Sequence, residues 1–327
     1  MSTSEAARPL VSVLMITYNH ERYIRQAVQS VLDQERTFPI EIVISDDGSS
    51  DGTRAIVREL VAEHPQIVRD VSSGQRLGIG SNFYHTYTHC RGEFIAVLDS
   101  DDYWLSRDKL AMQLNLLQGD PRCTLVYHNA ILFAEATGES RIKLSEPVDD
   151  IRGATFFLHR NPITTMTAVF RNILSEEEVS SLTGLTFQDL PLWILLAEHG
   201  TVRCLPDLFG VYRVHGSSTF SRMGNTEALL ARRTSLAAVR RFVSAGAGAA
   251  MDKRLVQMHL ELALRRCVLT TQFGQAAQEW HFARKLSKEI GLGPFGFIAQ
   301  ILRALRIAAS MVFEKVGSLV GASSSGL

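Results

Sequence analysis

Two kinds of apolar spacing run along the chain. Up to about residue 130, compact β-branched runs alternate with stretches whose apolar residues fall three and four apart. Past residue 225 only the helical spacing remains. Val11–Ile16, Ile40–Ile44, Phe94–Leu98 and Thr124–Tyr127 predict buried strands. Between them, Ile24, Ala27, Val28, Val31 and Leu32 predict a helix over 21–33, and Ile56, Val57, Leu60 and Val61 a second. Leu110, Leu114 and Leu117 predict a third over 106–118, with Ser106 as N-cap. Strands alternating with helices of this length define βαβ units, so the expected class is α/β: a Rossmann-like, largely parallel sheet with helices on both faces.

The middle of the chain is less regular, with a strand over 167–170 and a helix over 189–199. The C-terminal part predicts helices over 227–243, 252–271, 275–290 and 295–319, with Gly246, Gly248 and Gly274 as breaks. The second and third read as an antiparallel hairpin. On the last, Ile298, Ile301, Leu302, Leu305, Ala309, Val312, Val316 and Leu319 form one stripe, with Arg303 and Arg306 opposite. The tail 321–327 reads as disordered. The expected division is a domain over 1–224 and a helical region over 225–327.

Charge sharpens that division. The 327 residues hold 34 basic and 34 acidic side chains, a net charge of zero. After Gly224 there are fourteen Lys and Arg against six Asp and Glu, so the helical region carries +8 and the rest −8. A neutral total argues against a nucleic-acid partner. The basic helices suit a peripheral contact with an anionic membrane face or a homo-oligomer. Cys90, Cys123, Cys204 and Cys267 show no CxxC spacing, Met1–Pro9 has no apolar signal core, and no long uncharged apolar stretch occurs. The chain therefore reads as cytoplasmic, with any membrane contact peripheral at the inner face.

In open α/β sheets ligands bind beyond the carboxyl ends of the strands. The polar residues there are Thr17-Tyr18-Asn19, Ser45-Asp46-Asp47-Gly48 and Asp99-Ser100-Asp101-Asp102. No glycine-rich dinucleotide turn or GxxxxGK[ST] loop follows the first strand. Crowded carboxylates repel unless a cation lies among them, and oxygen ligands suit Mg2+ or Mn2+. A solvated acidic turn is the other reading of Asp99–Asp102, and a turn with an N-cap at Ser50 or Asp51 the other reading of Asp46–Asp51.

Val13–Asn19, Val43–Asp51 and Leu98–Trp104, in that order, resemble family 2 glycosyltransferases, inverting enzymes of the GT-A fold. Leu77–Gly80 with Asn82, and Arg91–Ile95, resemble the same family's approach to its DxD strand, and the likeness spans about residues 9–220. It implies a nucleotide-sugar donor, UDP-, dTDP- or GDP-linked, a carbohydrate or lipid-linked acceptor in cell-surface polysaccharide or glycolipid synthesis, and Mn2+ or Mg2+ as cofactor. By the same likeness Thr17, Tyr18, Asn19, Asp46, Asp47, Arg76, Asn82, Asp99 and Ser100 belong to the donor site, with a structural role as the other reading of Arg76 and Asn82. Asp101, with Asp99 and His215, belongs to the metal, with donation to the phosphate as the other reading of His215. Phe187–Trp193 resembles the segment that carries the general base, with Gln188 where the family usually has Glu. This puts the base at Asp189, for which an N-cap is the other reading, and a sugar platform at Trp193. Tyr212–Ser218 resembles the closing Tyr-Arg-x-His segment, with Arg213 on the diphosphate. Asn161–Arg171 resembles a stretch lining the acceptor side. Two competing classes are a sugar-phosphate nucleotidyltransferase, which needs a glycine-rich loop absent from 17–24, and a non-catalytic partner- or membrane-binding module on a degenerate transferase domain.

Overall fold

The computed structural model describes residues 8–143, 151–216, 223–268 and 272–306. The chain divides into two compact units, Met1–Arg222 and Met223–Leu327. The first is built on a ten-stranded sheet. Its strands are β1 (Val11–Thr17), β2 (Ile40–Asp46), β3 (Val68–Asp70), β4 (Phe94–Val97), β5 (Tyr103–Trp104), β6 (Cys123–Ala134), β7 (Glu139–Lys143), β8 (Ile151–Arg152), β9 (Val169–Arg171) and β10 (Thr201–Val214). They lie in the order β3-β2-β1-β4-β9-β6-β10-β5, with β7 on β6 and β8 on β10.

The sheet is mixed, which corrects the expectation of a largely parallel one. β3, β2, β1 and β4 run parallel, as βαβ crossovers require. The short β9 enters antiparallel between β4 and β6, and β10 then returns parallel to β6 along nearly its whole length. The strand expected over 167–170 is β9, whereas the irregular sequence hides β10 because that strand bends. The register of β10 on β6 shifts at three places, and each irregularity spoils the period-two pattern by which a strand is read.

β1 and β2 are buried nearly throughout, and α1 (Ile24–Leu32), α2 (Thr53–Glu63), α3 (Ile79–Thr88) and α4 (Lys109–Gly119) pack on the sheet. Ile24, Ala27, Val28 and Val31 of α1 join Val13, Ile42, Ile44 and Ala96 in the main core. The cap of α4 is Asp108, not Ser106, whose hydroxyl instead accepts from the Asp108 amide at 3.2 Å. Asp51 accepts from the Thr53 amide at 3.0 Å, one residue ahead of the cap at Gly52.

α5 (Glu176–Ser180) and α6 (Asp189–His199) complete the first unit, and the second contains α7 (Asn225–Val239), α8 (Ala245–Val268) and α9 (Phe273–Glu289), with a further helix over 294–306. Gly246 and Gly248 lie inside α8 and Gly274 inside α9, contrary to their reading as breaks. A Cβ on Gly248 would come within 2.5 Å of the Arg240 guanidinium, so glycine lets Arg240 reach Asp252, Nε to Oδ1 at 2.6 Å. Glu279 of α9 gathers Arg233, Arg266 and His259 from the other two helices. Over 294–306 the expected single stripe is split. Ile301 and Ala304 pack inward with Val256 and Leu260, while Ile298, Leu302 and Leu305 are exposed. The rest of the helix expected over 295–319, and the tail 321–327, lie outside the described residues. Among those described, no helix is long and apolar enough to cross a membrane.

Candidate active site

Three loops leave the carboxyl ends of β1, β2 and β4 side by side, because Thr17 pairs with Asp46 and Leu14 with Val97 in the parallel registers. Much of their polar inventory braces the loops. Asn19 takes the left-handed conformation, φ 57°, which asparagine tolerates. Its amide donates to Ser49 Oγ and its side-chain oxygen accepts from the Ser50 amide, each at 2.8 Å. Asp46 accepts from the Ser49 amide and hydroxyl. Asp47 accepts from the Leu77 amide at 2.6 Å and the Gly78 amide at 3.0 Å, holding the entry to α3. Asn82, buried, accepts from the Ser45 hydroxyl and donates to the Ser45 carbonyl. Two groups are placed differently. The Thr17 hydroxyl is buried without a hydrogen-bond partner, and the Arg76 guanidinium lies 4.3 Å over the Tyr18 ring.

The loop after β4 carries the acidic cluster, and its three carboxyls differ sharply. Asp102 is fully buried and accepts from the Arg213 amide at 2.8 Å, while its second oxygen has no partner. Burial, then Asp101 and Asp99, push it well above the usual carboxylate range. Burial, then Asp101 and Asp189, push Asp99 up to about 7. Asp101 is opposed by the same burial, but the hydrogen bond from His215 and the neighbouring imidazoles outweigh it and hold the group low. Of the three, only Asp101 is shifted toward its charged form. His215 Nε2 lies 3.0 Å from Asp101 Oδ2. Arg213 is spent inside the protein: its guanidinium meets the Asp101 carbonyl, Gln26 and Glu135 and stacks over the Tyr103 ring at 4.5 Å.

His20, which the sequence reading passed over, closes on the same point. Its Nε2 is 3.7 Å from Asp101 Oδ2 and its Nδ1 is 2.7 Å from Ser100 Oγ. Burial lowers its pKa, against the pull of Asp101. One ligand atom from each of His20, Asp101 and His215 lies within 4.8 Å of the others. Asp99 is not in that group. The only signal for His20 was its place one residue beyond Thr17-Tyr18-Asn19, and a lone histidine is weak evidence.

Asp189 opens α6 (Asp189–His199). The N-cap is Gln188, without a side-chain cap bond, so the capping role weighed for Asp189 is not seen. Its half-buried carboxylate accepts from Asn161 Nδ2 at 3.0 Å. Burial raises its pKa, with the Leu190 amide, Asn161 and Lys143 opposing. Trp193 is fully buried, with its ring edge-on to Phe170 at 6.1 Å. It is a core residue and cannot serve as a sugar platform.

A βαβ half-sheet with an acidic loop at its carboxyl edge, completed by a long returning strand, is the GT-A glycosyltransferase architecture. Residues 12–176 match the family model for glycosyl transferase family 2, and the chain belongs to that family. An uncharacterized protein of Mycobacterium tuberculosis is 30% identical over 210 residues, 63% of this chain and 59% of that protein. This chain thus spans less than two thirds of that relative. The crystal structure of S. aureus TarS 1–349 with UDP-GlcNAc is similar at a TM-score of 0.63 and 17% identity, over 93% of this chain and 92% of that one. Mannosyltransferase PcManGT from Pyrobaculum calidifontis, solved with GDP-Man and Mn2+, gives a TM-score of 0.54 at 19% identity, over 93% and 86%.

Proposed function

We propose that this glycosyltransferase moves a hexosyl group from a nucleotide-linked donor to an acceptor hydroxyl with inversion, Asp189 serving as general base. The observation that carries the reading is Asp189 itself. Its carboxylate is half-buried, raised in pKa, oriented by Asn161, and within electrostatic reach of Asp99. A base matched to its task needs that upward shift. The acceptor oxygen would give its proton to Asp189 and bond to the anomeric carbon as the bond to the diphosphate breaks on the opposite face. In-line displacement inverts the centre.

TarS and the mannosyltransferase, which share the fold, were solved with UDP-GlcNAc and GDP-Man, and this supports a nucleotide-sugar donor here. In this reading the unpartnered Thr17 hydroxyl, Tyr18, Arg76 and Asp99 meet the donor. Asn19, Asp46, Asp47, Asn82 and Arg213 act by holding the loops that present them. The carboxylate of Asp101 and the imidazole of His215, 3.0 Å apart, suit a divalent cation. Mn2+ or Mg2+ held there would neutralise charge on the departing diphosphate.

A donor panel including UDP-GlcNAc and GDP-Man, with Mn2+ present, tests the reading through binding and nucleotide release. The wild-type chain should bind and turn over one donor class. Asp189→Asn should bind it equally and release nucleotide about a hundredfold or more slowly. Undiminished release from Asp189→Asn, or no donor bound by the wild type, overturns the proposal.

A further inference from the structure

His20 has the surroundings of a metal-binding imidazole. Ser100 is fully buried at the base of the acidic loop, and its hydroxyl lies 2.7 Å from His20 Nδ1. With Nδ1 engaged by that hydroxyl, the ring is held in place and Nε2 is the nitrogen turned to the acidic loop; with the hydroxyl as acceptor, Nε2 would offer its lone pair there. His20 Nε2 lies 3.7 Å from Asp101 Oδ2, on which His215 Nε2 also converges at 3.0 Å. Metal-binding histidines are commonly held this way, one nitrogen on the ion and the other on an orienting partner. The ring is fixed further by edge contacts with Tyr23 and His215, at 6.1 and 6.0 Å between centroids. These residues come from three distant stretches of the chain, so sequence proximity does not explain their meeting.

We propose that His20 is a third protein ligand of the divalent cation, with Ser100 as the residue that positions it. The proposal rests on the reading that Asp101 and His215 hold a cation, and it changes what that site is. A site of carboxylates alone suits a hard ion such as Mg2+, whereas two imidazoles and one carboxylate suit first-row transition ions. Three protein donors also hold an ion before any diphosphate oxygen arrives. The site should therefore take Mn2+ or Co2+ in preference to Mg2+, and should do so without nucleotide.

The test is a titration of the full chain with Mn2+, without nucleotide, reading free Mn2+ by its electron paramagnetic resonance signal. Thermal melting of each variant checks folding. One Mn2+ per chain should bind and resist a hundredfold excess of Mg2+. His20→Ala should weaken binding by about tenfold or more, and Ser100→Ala by a similar factor through loss of orientation. On the Co2+-loaded chain, His20→Ala should change the visible absorption bands, which report the ligand set and which a merely structural role would leave alone. Equal Mn2+ affinity and an unchanged Co2+ spectrum in His20→Ala, or displacement of Mn2+ by that Mg2+ excess, would overturn the assignment. Loss of binding in Asp101→Asn alone would then leave the two-residue site standing. No effect of Asp101→Asn either would sink the cation reading itself.

Discussion

The bond from Asn161 to Asp189 offers a direct check on the base. Asn161 Nδ2 donates to Asp189 Oδ2 at 3.0 Å and so favours the ionised carboxylate, against a burial that favours the neutral acid. A hydrogen bond to a charged group contributes about 1.5–3 kcal/mol in mutational series. Asp189 is half-buried, so water takes part of the place of a lost donor and the low end applies. At about 1.4 kcal/mol per pKa unit, Asn161→Ala should move the acid limb of kcat/KM by about one pH unit. The direction follows from the charge: removing a donor to the carboxylate favours the protonated form, so the limb moves to higher pH. Activity on the acid side then falls about tenfold, while above both midpoints it is unchanged. Nucleotide release measured from pH 5 to 9 reads both regimes. Stability should move the other way. A carboxyl with a raised pKa costs the folded state free energy once pH rises above its ordinary value, so Asp189→Asn should unfold in urea at pH 7 no more easily than wild type. A uniform loss of activity at every pH in Asn161→Ala, with the limb in place, would refute Asp189 as the base.

Two further tests concern the scaffold beneath the site. Buried Glu41 accepts from Ser12 Oγ at 2.7 Å, the Arg91 amide and guanidinium, both at 2.8 Å, and Arg69 at 2.6 Å. Burial opposes its charge, yet these donors hold its pKa below the usual range. Glu41→Ala should cost about 3 kcal/mol in urea unfolding, since Arg69 and Arg91 are partly exposed and can rehydrate; a loss under about 1 kcal/mol contradicts the account. In the wild type this contribution is present above the ordinary glutamate pKa and fades as pH falls, and Glu41→Gln should flatten that decline. Gly80→Ala would place a Cβ 2.4 Å from the Leu185 carbonyl oxygen and 2.8 Å from that of Leu182. Both are backbone atoms that cannot swing aside, so thermal or urea unfolding should show a cost of about 1–3 kcal/mol. A neutral Gly80→Ala would mean that α3 and the 182–185 turn are not in contact.

Legibility in the sequence followed the regularity of the backbone. β1, β2 and β4, with α1, α2 and α4, have clean spacing, and the sequence reads them to within a few residues; β3 and α3 it does not show. The loop carboxylates were legible because strand ends are where an open sheet binds. β10 was not, since its register shifts break the pattern and residues 201–214 mix Arg203, Asp207 and Arg213 with apolar positions. Nor does sequence show which polar groups are already satisfied. Asp47 and Asn82 look as available as Thr17 until their partners, thirty or more residues away, are in place. Trp193 misled for a related reason: its spacing from Asp189 is the same whether its ring faces a cleft or the core. Gly246 and Gly248 misled because the alanines around them sustain the helix despite the entropy cost of glycine.

The placing of β10 bears on how hybrids of such enzymes can be made. The family match ends at residue 176, yet Asp189 and His215 come later, and β10 lies between β6 and β5 in the interior of the sheet. A cassette cut at that boundary would carry the three loops and leave behind the proposed base, one proposed metal ligand and an internal strand. β6, still paired with β9 and β7 but stripped of β10, would then offer that open edge to other chains. With the roles proposed for Asp189 and His215, a swap that keeps the site whole places its junction past Gly216, so the recombining unit is longer than the stretch by which the family is recognised.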